Sequence, residues 1–286
     1  MKSIESIAVI GAGTMGHGIA HVAAVAGYNV GLFDAADGAV QRGLERVREN
    51  LDKGISKGKV TEAERDAALS RLRGCSALDE AAHDADLVIE AIVESMDVKA
   101  PLFRDLDTLA PPSAILATNT SSLSIARIAA ATSRPSLVVG MHFFNPVHIM
   151  KLLEVVVHDG TSEDTRTSAL DVAHRMGKEP IVVRDAPGFA SSRLGIALGL
   201  EAMRMLEQGV ATAADIDKAM ELGYNHPMGP LKLTDLVGLD VRLAIAEYLH
   251  RTLRLPHFEP PKILRDKVAR GELGKKTGKG FYTWTD

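Results

Sequence analysis

Three glycines near the start of the chain restrict its fold more than any other feature of the sequence. Gly11, Gly13 and Gly16 form a G-x-G-x-x-G pattern, which follows the apolar, β-branched run 4–10. Small and apolar residues then continue to Gly27, which is typical of a helix with a glycine stop. In this order of strand, loop and helix, the glycines allow close backbone approach to a pyrophosphate, and the helix N-terminus supplies free N–H groups. The pattern therefore predicts a dinucleotide site.

An acidic residue follows at the spacing that such a site requires. A second predicted strand, 28–33, ends at Asp34, which comes 34 − 16 = 18 residues after Gly16. A carboxylate here can bind the adenosine ribose hydroxyls and would repel a 2′-phosphate, so NAD is favoured over NADP. The alternative is a glycine-rich turn in an unrelated α/β domain.

Predicted strands and helices then alternate. Residues 37–72 are typical of a helical pair, whose second helix starts at the capping box 61–64. Buried strands are predicted at 87–89 and 115–117. Alternation of this kind indicates a mostly parallel sheet with helices on both faces.

Two further predicted strands, 137–143 and 152–157, are joined by a link too short for a helical crossover, so they should be antiparallel. His142 and Glu154 are equally distant from residue 148 inside the link, which places them opposite each other. A carboxylate partner fixes the imidazole tautomer and stabilises the imidazolium, as a general base for an alcohol proton requires. The alternative is a purely structural hydrogen bond.

The pattern changes near residue 187. Helices are predicted around 194–206, 212–223 and 231–253, with few strand signals. We expect an α/β protein in which a Rossmann-type, mostly parallel sheet domain (1–185) carries the His and Glu and precedes an all-α C-terminal domain (186–286). A length of 286 residues suits two domains.

Composition excludes several classes of protein. The net charge of −4 and an aromatic content of 4% give no reason to expect a nucleic-acid partner. Cys75 is the only cysteine, which excludes an intrachain disulfide and a cysteine-built zinc site. His17 and His21 suggest no third metal ligand, so no metal is predicted. With no signal-peptide pattern and no membrane-spanning run, we expect a cytoplasmic protein.

Several further motifs, together with the glycine loop, carry a family resemblance. They are Glu90-Ala91-Ile92-Val93-Glu94, Asn119-Thr120-Ser121-Ser122-Leu123, His142-Phe143-Phe144-Asn145-Pro146, Asp185-Ala186-Pro187-Gly188-Phe189, His226-Pro227-Met228-Gly229-Pro230 and Gly278-Lys279-Gly280-Phe281-Tyr282. Across essentially the whole chain, they resemble the 3-hydroxyacyl-CoA dehydrogenase family, close to its short-chain 3-hydroxybutyryl-CoA branch.

The resemblance implies reversible, NAD-dependent oxidation of a short-chain (S)-3-hydroxyacyl-CoA, and a homodimer formed through the helical domain. It implies that His142 is the general base and Glu154 its partner, and that Ser121 and Asn145 contact the reacting groups. It also assigns the cofactor contacts, which are Gly11, Gly13, Met15, Gly16, Asp34, Glu94, Lys99 and Asn119.

One position departs from the family pattern. Ser192 stands where family members often carry an Asn that contacts the substrate carbonyl, and its side chain is shorter but can still donate a hydrogen bond. Lys53, Lys57 and Lys59 lie in the predicted helix connection, where the resemblance suggests contact of Lys53 and Lys57 with CoA phosphates. The alternative for each lysine is an ordinary solvated basic residue.

Two other functions are consistent with these residues. One is an NAD enzyme that acts on a free hydroxy acid or sugar acid. The other is a dinucleotide-binding protein without turnover, for which Ser192 is the only supporting feature.

Overall fold

The computed structural model describes residues 3–285. The chain divides into two compact units, Met1–Ala186 and Pro187–Asp286. The sequence pattern predicts this division one residue earlier, after residue 185.

The first unit is built on one eight-stranded sheet with the strand order β3-β2-β1-β4-β5-β6-β7-β8. Its strands are β1 (Ser6–Ile10), β2 (Asn29–Phe33), β3 (Leu72–Gly74), β4 (Leu87–Glu90), β5 (Ile115–Thr118), β6 (Val138–Phe143), β7 (Leu152–Val157) and β8 (Glu179–Arg184). Its helices are α1 (Gly16–Val25), α2 (Ala39–Ser56), α3 (Glu62–Ser70), α4 (Leu78–Ala82), α5 (Met96–Leu109), α6 (Ile125–Ala129) and α7 (Glu163–Arg175). The predicted doubly covered, mostly parallel sheet is confirmed.

Strand direction follows from the length of each connection. Helices join β1 to β2 and β4 to β5, and these strands and β6 pair in parallel. The short link 144–151 reverses the chain, so β6 and β7 are antiparallel, as predicted. β8 then pairs in parallel with β7, so the last two strands run against the rest. The strands β4, β5 and β6 are buried along their full length, which explains their apolar sequences.

The predicted capping box is present, with Glu64 N–H donating to Thr61 Oγ1 and Thr61 N–H donating to Glu64 Oε2. Two other details in and next to the region 37–72 differ from the prediction. The strand β3 was missed because its three residues are too few to show a period. Lys53 lies in the last turn of α2, because that helix continues to Ser56 instead of ending before the lysines.

The second unit is helical, as predicted. Its helices are α8 (Ser191–Glu207), α9 (Ala213–Gly223), α10 (Pro230–Val237), α11 (Leu239–Leu253) and α12 (Lys262–Ala269). The single helical stretch predicted over 231–253 is wrong, because Gly238 interrupts it with a φ of +105° that breaks the helical backbone. Within residues 3–285, no helix combines the length and apolar character needed to cross a bilayer.

Candidate active site at the carboxyl edge of the sheet

The parallel strands gather the predicted site residues. Because the carboxyl ends of parallel strands meet at one edge of a sheet, the segments that follow β1, β2, β4 and β5 lie along the same edge. The end of β6 lies there too, and so does the start of the antiparallel β7. This edge therefore carries the glycine loop, Asp34, Glu94, the segment 119–122 and the His142–Glu154 pair.

The three glycines of the loop serve different purposes. A Cβ at Gly11 would lie 2.6 Å from the carbonyl oxygen of Ala91, and one at Gly16 would lie 1.6 Å from the carbonyl oxygen of Gly11. These two positions are therefore closed to any side chain by the protein itself. A Cβ at Gly13 would meet nothing within 4 Å. The open space at Gly13, next to the start of α1, fits the approach of a pyrophosphate.

Asp34 also holds the glycine loop. Its Oδ2 accepts a hydrogen bond from Ala12 N–H at 2.7 Å, and its Oδ1 accepts one from Ala36 N–H at 2.8 Å. The carboxylate thus lies directly against the loop, just after β2, the strand next to β1, in the position from which a ribose could be bound. Met15 is the N-cap residue of α1 and packs against the apolar core.

A buried ion pair lies beneath the loops that follow β4 and β5. Lys99 Nζ is 2.5 Å from Glu90 Oε1, and the side chains are 1% and 0% exposed. Thr118 Oγ1 donates to the other oxygen of Glu90 at 2.7 Å. Lys99 was predicted at the cofactor, and the structure places it in the protein interior, 3.6 Å from Glu94. The role of Glu90 was missed, although an acid at the end of a buried strand, nine residues before a lysine, was a signal for it.

Glu94 organises the segment that carries Ser121. Its Oε1 accepts hydrogen bonds from Thr120 Oγ1, at 2.6 Å, and from the backbone N–H groups of Ser121 and Ser122, at 2.8 and 3.0 Å. Burial by itself would raise the pKa of Glu94, but these hydrogen bonds and the charge of Lys99 lower it. Glu94 is therefore held as a carboxylate, with the Ser121 hydroxyl at 3.1 Å.

Asn119 connects this segment to the strand that carries the histidine. Its Oδ1 accepts a hydrogen bond from Phe143 N–H at 2.8 Å, and its own N–H donates to Glu90 O at 2.7 Å. The predicted cofactor residue thus fixes the end of β5 against the end of β6, next to His142. Asn145 follows in the exposed part of the link and forms a cis peptide bond with Pro146.

His142 and Glu154 face each other across β6 and β7, in the register that the sequence predicts. The imidazole Nδ1 lies 2.7 Å from Glu154 Oε2, and the two side chains are 9% and 0% exposed. The ring of His142 also packs on Phe144, with the centroids 4.5 Å apart. A buried carboxylate on one ring nitrogen orients the imidazole so that the other nitrogen can exchange a proton with a bound alcohol.

The remaining predicted residues lie elsewhere. Lys53 and Lys57 are exposed at the end of α2. Ser192 belongs to the second unit and lies in the first turn of α8. Within the described range 3–285, no three His, Cys, Asp or Glu side chains are placed to hold a metal ion.

Family models and related proteins match both units of the chain. The family described as 3-hydroxyacyl-CoA dehydrogenase, NAD binding domain, matches residues 6–186, and the C-terminal domain of the same family matches residues 188–284. A Bacillus subtilis protein named "Probable 3-hydroxybutyryl-CoA dehydrogenase" is 47% identical over 283 residues, which cover 99% of this chain and 98% of that protein. A Mycobacterium tuberculosis 3-hydroxybutyryl-CoA dehydrogenase is 44% identical over 284 residues, 99% of each chain.

The same likeness holds in three dimensions. The crystal structure of (S)-3-hydroxybutyryl-CoA dehydrogenase PaaH1 from Ralstonia eutropha superposes with a TM-score of 0.96 at 42% identity. The match covers 99% of this chain and 100% of that one.

Proposed function

The chain belongs to the 3-hydroxyacyl-CoA dehydrogenase family, and from this premise we propose that it oxidises (S)-3-hydroxybutyryl-CoA to acetoacetyl-CoA with NAD, reversibly. The observation that carries the proposal is the buried His142–Glu154 pair on the same sheet edge as the glycine loop. An alcohol oxidation by hydride transfer needs a base and a dinucleotide site within one cleft, and this edge carries the residues for both.

The glycine loop and its neighbours would hold the cofactor. Gly13 leaves the outer side of the loop open, and the N-terminus of α1 offers its free N–H groups to the pyrophosphate. Asp34 would bind the adenosine ribose, which favours NAD over NADP. Met15, Glu94 and Asn119 complete the proposed cofactor contacts, and the buried Lys99 would act through Glu94, whose Oε2 lies 3.6 Å from its Nζ. Bound NAD supplies the hydride acceptor.

His142 would accept the proton of the substrate hydroxyl. Its Nδ1 is engaged by Glu154, so Nε2 is the atom that we assign to the proton transfer. The buried carboxylate of Glu154 stabilises the imidazolium that results, because opposite charges interact strongly where water is excluded. In the reverse direction, the same Nε2 returns the proton to the ketone oxygen.

Polar side chains would orient the substrate. Ser121, held at Glu94, and Asn145, in the link beyond His142, are proposed to hydrogen-bond the reacting oxygen. Ser192 is proposed as a further substrate contact at the family's Asn position. The exposed ammonium groups of Lys53 and Lys57 would attract the phosphates of CoA.

We also propose a cytoplasmic homodimer formed through the second unit. This unit exposes large apolar side chains, including Leu194 at 70%, Leu222 at 76% and Tyr224 at 75%. Apolar surface of this kind marks contact sites between proteins. Sedimentation equilibrium would measure the mass in solution, and a monomer at all concentrations would contradict the dimer.

One comparison of substrates tests the function. We expect NADH consumption with acetoacetyl-CoA at a kcat/KM at least about a hundredfold above that with free acetoacetate, because the CoA moiety contributes binding energy. A preference for free acetoacetate would favour the hydroxy-acid alternative. Tight NADH binding without turnover of acyl-CoA esters of any tested length would favour a non-catalytic protein.

A further inference from the structure

A buried lysine binds the link between β6 and β7, the strands that carry His142 and Glu154. This link, residues 144–151, connects β6 to β7 and contains Asn145. Lys178, which precedes β8, is 7% exposed, and its Nζ donates hydrogen bonds to the carbonyl oxygens of Val147 and Met150. The next residue, Glu179, donates its N–H to Lys151 O at 2.8 Å.

The surroundings of Lys178 make this contact specific. Removing an ammonium from water is unfavourable unless its donors are satisfied. Burial accordingly lowers the pKa of Lys178. Within the described part of the chain, no carboxylate forms an ion pair with Lys178, and the acceptors of its ammonium are the carbonyls of the link. The buried ammonium of Lys178 therefore binds the backbone of the link 144–151.

The link also packs on the dinucleotide-binding helix. Val147 is 2% exposed, and a Cβ at Gly18 of α1 would lie 2.9 Å from its side chain. His148 stacks on His21 of the same helix, with ring centroids 5.3 Å apart and planes inclined by 6°. The link thus contacts both Lys178 and α1, the helix that begins at the glycine loop.

We propose that Lys178 is a positioning residue that sets the place of Asn145, His142 and Glu154 relative to the cofactor helix. It acts through the two carbonyl groups of the link and touches neither substrate nor cofactor. The inference rests on the proposed function, since it concerns the geometry of that same site. Small displacements of reacting groups reduce turnover strongly while leaving distant binding contacts intact.

The test compares Lys178→Met with Lys151→Met, which removes an exposed lysine from the end of the same link. We expect Lys178→Met to lower kcat with acetoacetyl-CoA by at least about tenfold, while the Kd for NADH stays within about threefold. Lys151→Met should keep kcat within about twofold of the wild type. A folded Lys178→Met protein with wild-type kcat would overturn the inference.

If Lys178→Met does not fold, Gly18→Ala tests whether the position of the link controls turnover. Its added methyl group pushes on Val147 from α1 while Lys178 stays intact, so kcat should fall and NADH binding should persist. An unchanged kcat would overturn the inference.

Wild-type turnover that His142→Gln abolishes would support the proposed function independently. Amide exchange at Ile149 and Met150, which should accelerate in Lys178→Met, tests the positioning contact without reference to turnover; unchanged exchange would contradict it.

Discussion

The Nδ1 atom of His142 lies 2.7 Å from Oε2 of Glu154, and the two residues occupy facing positions on β6 and β7. The carboxylate is fully buried, so its charge acts on the imidazole with little screening by solvent. The pair has the form of a base and its orienting partner, and the predictions begin there.

His142→Gln should lower kcat with acetoacetyl-CoA by ~10²–10⁴-fold, because general-base catalysis contributes about that much. The amide of Gln fills much of the same space and can still hydrogen-bond Glu154, but it cannot exchange the proton. Steady-state kinetics with a parallel Kd for NADH would measure the effect. A loss of less than about tenfold would rule out His142 as the base.

Alanine substitutions at two glycines of the loop should affect NADH binding and protein stability differently. Gly13→Ala places its methyl group in open space, so the free energy of unfolding should stay unchanged while the Kd for NADH rises about tenfold. Gly16→Ala is the matched control, because its Cβ would collide with Gly11 O, and it should lower the free energy of unfolding by at least about 1–3 kcal/mol. Equal effects on NADH binding and stability in both variants would contradict the assignment.

Asp34→Ala should weaken the preference for NADH over NADPH, measured as the ratio of kcat/KM values, by at least about tenfold. The change removes the charge that repels a 2′-phosphate, and it also releases Ala12 N–H in the loop. The exposed neighbour Asp37, changed to Ala, is the control and should leave the ratio unaltered. If Asp37→Ala had the larger effect, the ribose would not be assigned to Asp34.

Lys99→Met should destabilise the first unit by about 3–5 kcal/mol, because Glu90 would be left as a buried charge without its partner. Urea unfolding would measure the loss. The double variant Lys99→Met with Glu90→Gln should recover part of it, since the remaining side chain is neutral. A single-variant loss below about 1 kcal/mol would show that the pair is dispensable.

His21 should make the protein less stable in acid. Burial, with the nearby charges of His148, His17 and Lys178, lowers the pKa of His21 from 6.5 to about 4, and its Nδ1 has no hydrogen-bond partner in the described structure. The folded state thus favours the neutral ring. Its stabilising contribution is complete above about pH 6.5 and is lost as the pH falls through 4.

Through His21, the free energy of unfolding should fall by about 2 kcal/mol between about pH 7 and about pH 5. His21→Gln should remove this share of the pH dependence of the unfolding free energy, as measured by urea titrations at the two pH values. An identical slope in wild type and variant would contradict the role of His21.

The dinucleotide loop and the facing of His142 and Glu154 were predictable because both follow from local rules. A glycine spacing and a following acid define the loop, and a link too short for a crossover forces an antiparallel pair whose register follows by counting. The helical stretch around Gly238 was predicted wrongly, because apolar periodicity continues through a glycine whose left-handed backbone ends one helix and starts the next.

The sequence alone therefore determined the main alternation of strands and helices, the glycine loop and the facing of His142 and Glu154, while β3 and the division at Gly238 escaped it. Tertiary structure decided what supports them: Lys99 pairs with Glu90 in the interior, and Lys178 reaches the carbonyl groups of the link. These contacts join segments that are distant in the chain, and no local pattern specifies which buried ammonium meets which acceptor. That choice is made when strands pack side by side and every buried polar group must find a partner.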